Sequence, residues 1–310
     1  MSPNSAIPAE ALLFEPVEDS YGTRLALVFG SEARGGRCPF YERQCYHCDI
    51  GAGEGAQFDT AVNCQRLDFF RQHYAPVLSR VAHLVIYNSG SVLNQREFSS
   101  STLRSILEWS ATLPQCRVVS LDSREAFVTK AALDTVLQHL RPDQKPRPIL
   151  GLETQDDRVR LELLNKSMTR DTVEKAFQIV GQYRGRVGLD INIVFGLPPF
   201  QGAPAVVEAG ATARFALKLA ARYDVPLDFN LHPYYPSRLS RKHFPDHPRA
   251  DLAAAQDAVA HIQEVIRQSG RRSSLFVGLH DEAHDQEPPA RQADLARYRQ
   301  WFRRWNATQW

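Results

Sequence analysis

Residues 25–29 read LALVF, and residues 37–51 read RCPFYERQCYHCDIG. The first stretch is a short apolar run of strand type. The second follows closely and holds Cys38, Cys45 and Cys48, with six residues between the first two and two between the last two. A cysteine-bearing loop directly behind a buried strand stands where a parallel β/α barrel presents its working loops, at the carboxyl ends of the strands. Three thiolates from one loop can hold three irons of a [4Fe–4S] cluster. The fourth iron then lacks a protein ligand and is free to bind a small molecule.

Three other readings of this loop compete. A structural zinc site needs a fourth ligand, and His47 offers one. Closed zinc sites, however, come as two separated ligand pairs, and no second CxxC or HxxxH follows. A redox pair at Cys45 and Cys48 requires CxxC at a helix N-terminus in a smaller fold. Packed free thiols are the third. With Cys64 and Cys116 the cysteines number five, an odd set that argues against a disulfide scaffold in a 310-residue chain. The cluster is the favoured reading. The adjoining Gly51–Gly55 stretch (GAGEG) resembles a phosphate loop only in composition. It lacks GxGxxG spacing and reads as a continuation of the cysteine loop.

Outward from this point, apolar strand-like runs recur at Leu84–Tyr87, Val118–Leu121, Ile149–Leu152, Gly188–Phe195 and Leu227–Leu231, with a weaker one at Ser274–Leu279. Helical periodicity fills Leu67–Val81, Ser101–Leu113, Ala131–Leu140, Thr172–Tyr183, Ala211–Tyr223 and Leu252–Ser269. Strands alternating with helices predict parallel β/α units. The expected fold is α/β: a partial (β/α)6 TIM-type barrel over residues 1–240, with a C-terminal helical extension, 241–310, that completes the barrel and covers the substrate side. A doubly wound open sheet is the rival; both place ligands at the carboxyl ends of the strands. The segment Arg141–Pro148 (RPDQKPRP) reads as a short loop. Between Arg291 and Trp310 the apolar residues Leu295, Tyr298, Trp301, Phe302 and Trp305 fall at helical spacing, which predicts a helix packed on the barrel. The arginines between them offer an anionic contact surface as the lesser alternative.

Composition narrows the class. The chain is 43% hydrophobic and 23% charged, an ordinary globular balance. Lys+Arg 37 against Asp+Glu 35 gives a net charge of +2, without the basic excess of a dedicated nucleic-acid binder. No apolar run reaches the roughly 18 residues of a membrane span, and the first residues have neither the basic start nor the apolar core of a signal peptide. A soluble, cytoplasmic protein is expected, with no membrane contact.

With further motifs in order, the sequence resembles the radical S-adenosylmethionine (SAM) superfamily. The usual signature there is CxxxCxxC. The longer first gap here is similar to that of the Elongator catalytic-subunit group and the radical SAM subunit of archaeosine synthesis. Asn88-Ser89-Gly90-Ser91-Val92-Leu93 looks like the NSGSFL segment of that group. Asp122-Ser123-Arg124-Glu125 resembles its ESRPE segment, with Asp122 an approximate match and no proline following. Gly151-Leu152-Glu153 is similar to its GLE segment, and Leu164-Asn165-Lys166-Ser167 to its lNKg segment. The strand Asp190–Phe195, leading into Gly196-Leu197-Pro198, resembles its GLP strand. The resemblance runs from about Leu25 to about Phe200.

The resemblance implies an enzyme with two cofactors. Cys38, Cys45 and Cys48 would ligate a [4Fe–4S] cluster whose open iron chelates SAM. Asn88, Ser89, Gly90 and Ser91 would receive the SAM amino group. Ser123 would be a further cofactor-binding residue, Glu153 would lie near the adenine and ribose, Lys166 would reach the carboxylate, Asn192 would bond the ribose and His47 would stack near the adenine. Reductive cleavage of SAM would start radical chemistry on a small substrate. A flavodoxin- or ferredoxin-type protein would supply the electron. Transfer of the 3-amino-3-carboxypropyl group, or modification of tRNA, is the alternative outcome; nucleic acid is the less favoured partner.

Substrate residues are expected from the later strands. Period-two alternation puts Asp228, Asn230, His232 and Tyr234 on one face, and polar side chains turned into a barrel need a ligand or one another. Asn230, His232, Tyr234, Tyr235 and Arg238 are the candidate catalytic residues. Arg238 and Arg241 would suit a carboxylate, phosphate or other oxyanion. His280 and Asp281 are lesser candidates.

Overall fold

The computed structural model describes residues 13–33, 37–41, 43–48, 58–278 and 289–309. One sheet runs through it in sequence order. β1 (Val17–Asp19) is antiparallel to β2 (Gly22–Phe29). From there every neighbour is parallel: β3 (Val81–Asn88), β4 (Val118–Ser123), β5 (Lys145–Glu153), β6 (Leu189–Phe195), β7 (Leu227–Pro233) and the short β8 (Leu275–Val277). The helices α1 (Thr60–His73), α2 (Ser100–Thr112), α3 (Lys130–His139), α4 (Arg170–Gly181), α5 (Gly202–Tyr223), α6 (Arg238–His243), α7 (Leu252–Ser269) and α8 (Pro289–Ala307) lie between and after the strands. A doubly wound sheet reverses its strand order. This one never does, and it curls into an open barrel of the expected TIM type. Six full parallel strands form its wall, and the weak run before Leu279 supplies the seventh.

Burial explains the strand composition. Every residue of β3 is buried, because helices cover its outer face and the lumen closes on its inner one. The helices start on side-chain caps: Asp59 accepts from Val62 N, Ser99 from Thr102 N, Thr129 from Ala132 N, Thr169 from Thr172 N and Asp251 from Ala253 N. α8 packs against both edge strands, β1 and β8. Phe302 is wholly buried, and Trp305 Nε1 donates to Leu275 O. The tail is therefore the packed helix expected from its spacing.

Three boundaries differ from the sequence reading. α1 begins at Thr60 and stops at His73, short of Pro76, which cannot continue a helix. Its buried side includes Asn63, bonded to Gly30 N and O, and Arg66, which donates to Val28 O; polar residues on the inner face hid its start. α5 starts nine residues before Ala211, on small residues such as Ala205 and Ala209. The segment read as a loop to Pro148 becomes strand from Lys145 onward. Lys145 N donates to Arg117 O, so the odd positions bond β4 and the prolines at 146 and 148 fall on the other side. The paired register with β6 begins at Ile149, and on that side Pro146 serves as an acceptor, taking a bond from Gly188 N at 3.1 Å.

The amino end of the lumen is closed by buried charge. Arg147 lies 3.0 Å from Asp190 and 2.8 Å from Asp228. Ser120 Oγ donates to Asp190 at 2.5 Å and meets His83 Nε2 at 2.8 Å, while His83 Nδ1 lies 2.6 Å from Asp19. Tyr21 OH donates to Asp228. Asp228 thus belongs to an internal network at the base, away from the working end. No described helix is long and apolar enough to cross a membrane.

Candidate active site

At the carboxyl end of the strands the barrel opens into a cavity of about 250 Å³. Cys38, Cys45 and Cys48 all line it. Their loop is held from the segment after β5: Cys45 N donates to Asn165 O at 3.2 Å and Tyr46 N to Leu164 O at 3.0 Å. Asn165 Nδ2 donates to Arg43 O at 2.8 Å, and Ser167 Oγ to Gln44 at 3.1 Å. From the other side the Tyr46 ring stacks on His243 of α6 at 3.6 Å.

The clamp depends on Arg160, a wholly buried side chain whose Nε donates to Met168 O at 2.6 Å and Nη1 to Thr154 O at 2.7 Å. Cys45, Glu153 and Asn165 have φ of 58°, 63° and 49°, a left-handed conformation that non-glycine residues rarely adopt. Sequence reading missed both Arg160 and the docking role of Asn165. An arginine within RVRLEL has the signature of a solvated helix face.

Burial pushes the Cys38 thiol up to about 11, so ligation there has to displace a proton. Arg124 Nη1 stands 3.5 Å from Cys45 Sγ, and its guanidinium lies 4.0 Å above the Phe40 ring. Among the described residues no three His, Cys, Asp or Glu side chains converge as a single metal ion requires. His47 turns its Nε2 to Glu153 at 3.5 Å. The corners of a cluster hold thiolates further apart than one ion does. Cys64 and Cys116 are not among the cavity residues; Cys116 is buried beside Val118 O.

Asn88, Ser89, Gly90 and Ser91 line the cavity beyond β3. The turn is fixed by Asn88 Oδ1 accepting from Gly90 N at 2.9 Å, and by Ser91 N donating to Glu97 at 2.9 Å. A Cβ at Gly90 would fall 2.0 Å from Glu97 Oε2 and displace the carboxylate that holds Ser91 N. Ser123 lines the wall with its hydroxyl donating to Arg124 O. Beside the cysteine loop, Lys166 Nζ donates to Glu153 Oε1 at 2.5 Å, with both side chains buried. Burial opposes the Glu153 carboxylate, but Lys166 and His47 outweigh it and hold its pKa near about 2. The pair sits over Gly151, whose absent side chain leaves them room.

Of the later-strand candidates, Asn192, His232, Tyr234 and Tyr235 line the cavity. Asn230 lies just beneath and donates from Nδ2 to Asn192 Oδ1 at 3.1 Å. Tyr234 is buried, its hydroxyl bonded to Ser240 of α6, and burial raises its pKa. Arg238 opens α6 and Arg241 donates to Pro236 O; neither is among the cavity residues. The Gly51–Gly55 stretch, His280 and Asp281 lie outside the described residues. Asp122 also lines the cavity, although the sequence marked it only as an imperfect motif match.

Neither a family model nor a curated protein matches the sequence. Solved structures do match along most of this chain. The queuine lyase from Clostridium spiroforme, bound to SAM and queuine, superposes with a TM-score of 0.51 at 14% identity, covering 84% of this chain and 95% of that one. Streptococcus suis SuiB, bound to the precursor peptide SuiA, gives 0.53 at 15% identity over 87% of this chain and 51% of its own, so the chain spans about half of that protein. At these identities the likeness is one of fold.

Proposed function

We propose that this chain is a radical SAM enzyme acting on a small molecule. Cys38, Cys45 and Cys48 would hold a [4Fe–4S] cluster with one open iron, and SAM would bind beside it. The observation that carries the reading is a convergence. Three cysteines from one loop share a cavity with two buried nitrogens, the Asn88 Nδ2 donor and His47 Nδ1, that have no hydrogen-bond partner among the described residues. Buried polar atoms of this kind are ordinarily bonded, and the carboxylate, ribose and adenine of SAM supply acceptors. The bound cluster supplies the electron that cleaves a carbon–sulfur bond of SAM.

The chain's own residues bind and orient. The Asn88–Ser91 turn would receive the methionine end, with the Arg124 cation beside Cys45. Glu153, Lys166, Ser123 and Asn192 would frame the nucleoside, and His47 would lie against it. Asn230, His232, Tyr234 and Tyr235 stand at or beneath the far wall, where a substrate would meet the radical; Arg238 on α6 would act from the rim. Residues 1–240 would form this catalytic part, with 241–310 as the extension that closes it. A flavodoxin- or ferredoxin-type donor would bring the electron. The near-neutral charge and the placement of the far wall inside the barrel support a small substrate over tRNA.

The test is anaerobic reconstitution, reduction, and chromatography of the products. Methionine with 5′-deoxyadenosine is the expected outcome. 5′-Methylthioadenosine would mean transfer of the 3-amino-3-carboxypropyl group instead. A preparation that binds zinc without iron and sulfide, or leaves SAM intact, refutes the reading.

A further inference from the structure

We propose that the lumen row Val28–Tyr87–Asp122–Ile149 recognises a flat, nitrogen-bearing substrate, such as an amidine, a guanidine or an amino-heterocycle. Its ring would lie against the apolar members and its N–H groups on the Asp122 carboxylate. This rests on the radical SAM reading and names the substrate class of the same site.

The row follows from strand register. Val28 pairs with Tyr87 across β2 and β3. Ile86 pairs with Leu121, which sets Tyr87 and Asp122 next on adjoining strands, and Asp122 pairs with Ile149 across β4 and β5. This stretch of the lumen therefore presents three apolar or aromatic side chains and one acid, before the register passes from Ile149 to Asp190 and Asp228 of the Arg147 network. Val28, Tyr87 and Ile149 belong to one buried cluster with Ala26 and Val85, and Phe14 packs on it from above the sheet edge. Phe14, Val28, Tyr87 and Asp122 all line the cavity. A flat ring matches such a wall, because an aromatic surface gains most from a planar partner.

Charge accounting singles out Asp122. Glu153 is bonded to Lys166, Glu97 to Ser91 N and Asn94, and Asp190 and Asp228 to Arg147. Among the described residues no group hydrogen-bonds the Asp122 side chain. Of the cavity's two cationic side chains, Lys166 is taken by Glu153 and Arg124 faces Cys45. An oxyanion substrate would thus meet an uncompensated acid, while an N–H donor would complete it. Burial pushes the Asp122 carboxyl up to about 7, with Lys166 opposing and Glu153 and Glu97 adding to the rise. A carboxylate held this way in an apolar wall is costly until something pairs it. Its two oxygens match two parallel N–H groups, the arrangement that amidines and aminopyrimidine edges share.

The probes are benzamidine, benzyl alcohol and benzoate, titrated calorimetrically into the anaerobically reconstituted protein saturated with SAM. Benzamidine is expected to bind about tenfold or more tighter than the other two, the advantage of a charge-assisted pair. Asp122→Asn, nearly isosteric, should bring benzamidine to the affinity of benzyl alcohol while leaving iron content and SAM affinity unchanged. Tyr87→Ala should weaken all three probes together. Equal binding of benzamidine and benzoate overturns the proposal, as does an Asp122→Asn protein that loses SAM affinity and keeps benzamidine. If the wild-type protein takes up neither iron nor SAM, the radical SAM reading falls and this one with it. If it takes up both and shows no preference among the probes, this one falls alone.

Discussion

Replacing Lys166 by methionine removes the ammonium from a buried pair and leaves the Glu153 carboxylate with only His47 nearby. The magnitude follows from the carboxyl itself. Its pKa is held at about 2 against an ordinary 4.5, and at about 1.36 kcal/mol per pH unit that difference is about 3 kcal/mol. A depressed carboxyl contributes stability that is present above its unfolded pKa of 4.5 and is lost as pH falls towards about 2. At pH 7 the wild-type protein has the whole of it and Lys166→Met has little. Unfolding entropy of about 2.1 cal/mol/K per residue, over 310 residues, turns about 3 kcal/mol into a Tm loss of about 5 °C. The assay is thermal and urea unfolding of the metal-free protein at pH 7 and pH 5, with Glu153→Gln and the double variant completing a cycle. Glu153 in Lys166→Met becomes an unpaired buried acid, so that variant should recover stability on moving to pH 5 while the wild type does not. The double variant should be more stable than Lys166→Met alone. The reasoning is refuted if the two single losses add to within about 0.5 kcal/mol, since additivity means the groups do not interact.

Four other expectations follow from the geometry. Cys38→Ala, Cys45→Ala and Cys48→Ala should each abolish iron and sulfide uptake and SAM cleavage, whereas Cys64→Ala and Cys116→Ala should retain both; full iron in any of the first three removes that cysteine from the ligand set. Gly151→Ala would put a Cβ 2.5 Å from Glu153 Oε1 and 2.6 Å from Lys166 Nζ, so SAM affinity measured by equilibrium dialysis should fall about tenfold, and an unchanged Kd would show that the pair has room to spare. Arg147→Met leaves Asp190 and Asp228 facing each other at the base of the lumen, and the urea midpoint should reveal a loss of about 3–5 kcal/mol; a loss under about 1 kcal/mol would mean the base is open to water. Asp122→Asn should stabilise the metal-free protein at pH 8 by about 1–2 kcal/mol and far less at pH 5. The raised carboxyl contributes stability below its ordinary 3.8 that is lost as pH rises through about 7, and an equal Tm gain at both values would contradict this.

The barrel was legible because its signals are local. Strands such as Leu25–Phe29 and Leu84–Tyr87 are short apolar runs buried on both faces, and the intervening helices repeat their apolar residues on one side. The reading failed where the buried side was polar. Asn63 and Arg66 of α1 face inward to satisfy the backbone of β2, and periodicity counts them as solvent-facing. The strand prolines at 146 and 148 sit on the β6 side of β5, where Pro146 accepts from Gly188 N and the paired register begins at Ile149.

The sequence by itself determined which chemistry the chain offers, since three cysteines in one short loop behind the first parallel strand need no long-range information to be seen together. It also determined that strands and helices would alternate. Only the tertiary structure decided the company those residues keep: that Asn165 clamps the cysteine loop from a segment braced by Arg160, that Lys166 lies on Glu153 over Gly151, and that Asp122 stands in an apolar row with no side-chain hydrogen bond among the described residues. The physical reason is that these contacts either join separate β/α units, as Asn165 with Cys45 and Asp122 with Ile149 do, or close within the long β5–α4 loop, as Lys166 with Glu153 and Arg160 with Met168 do. Their energy depends on strand register and on which neighbours exclude water, and neither is written in the spacing of residues along one segment.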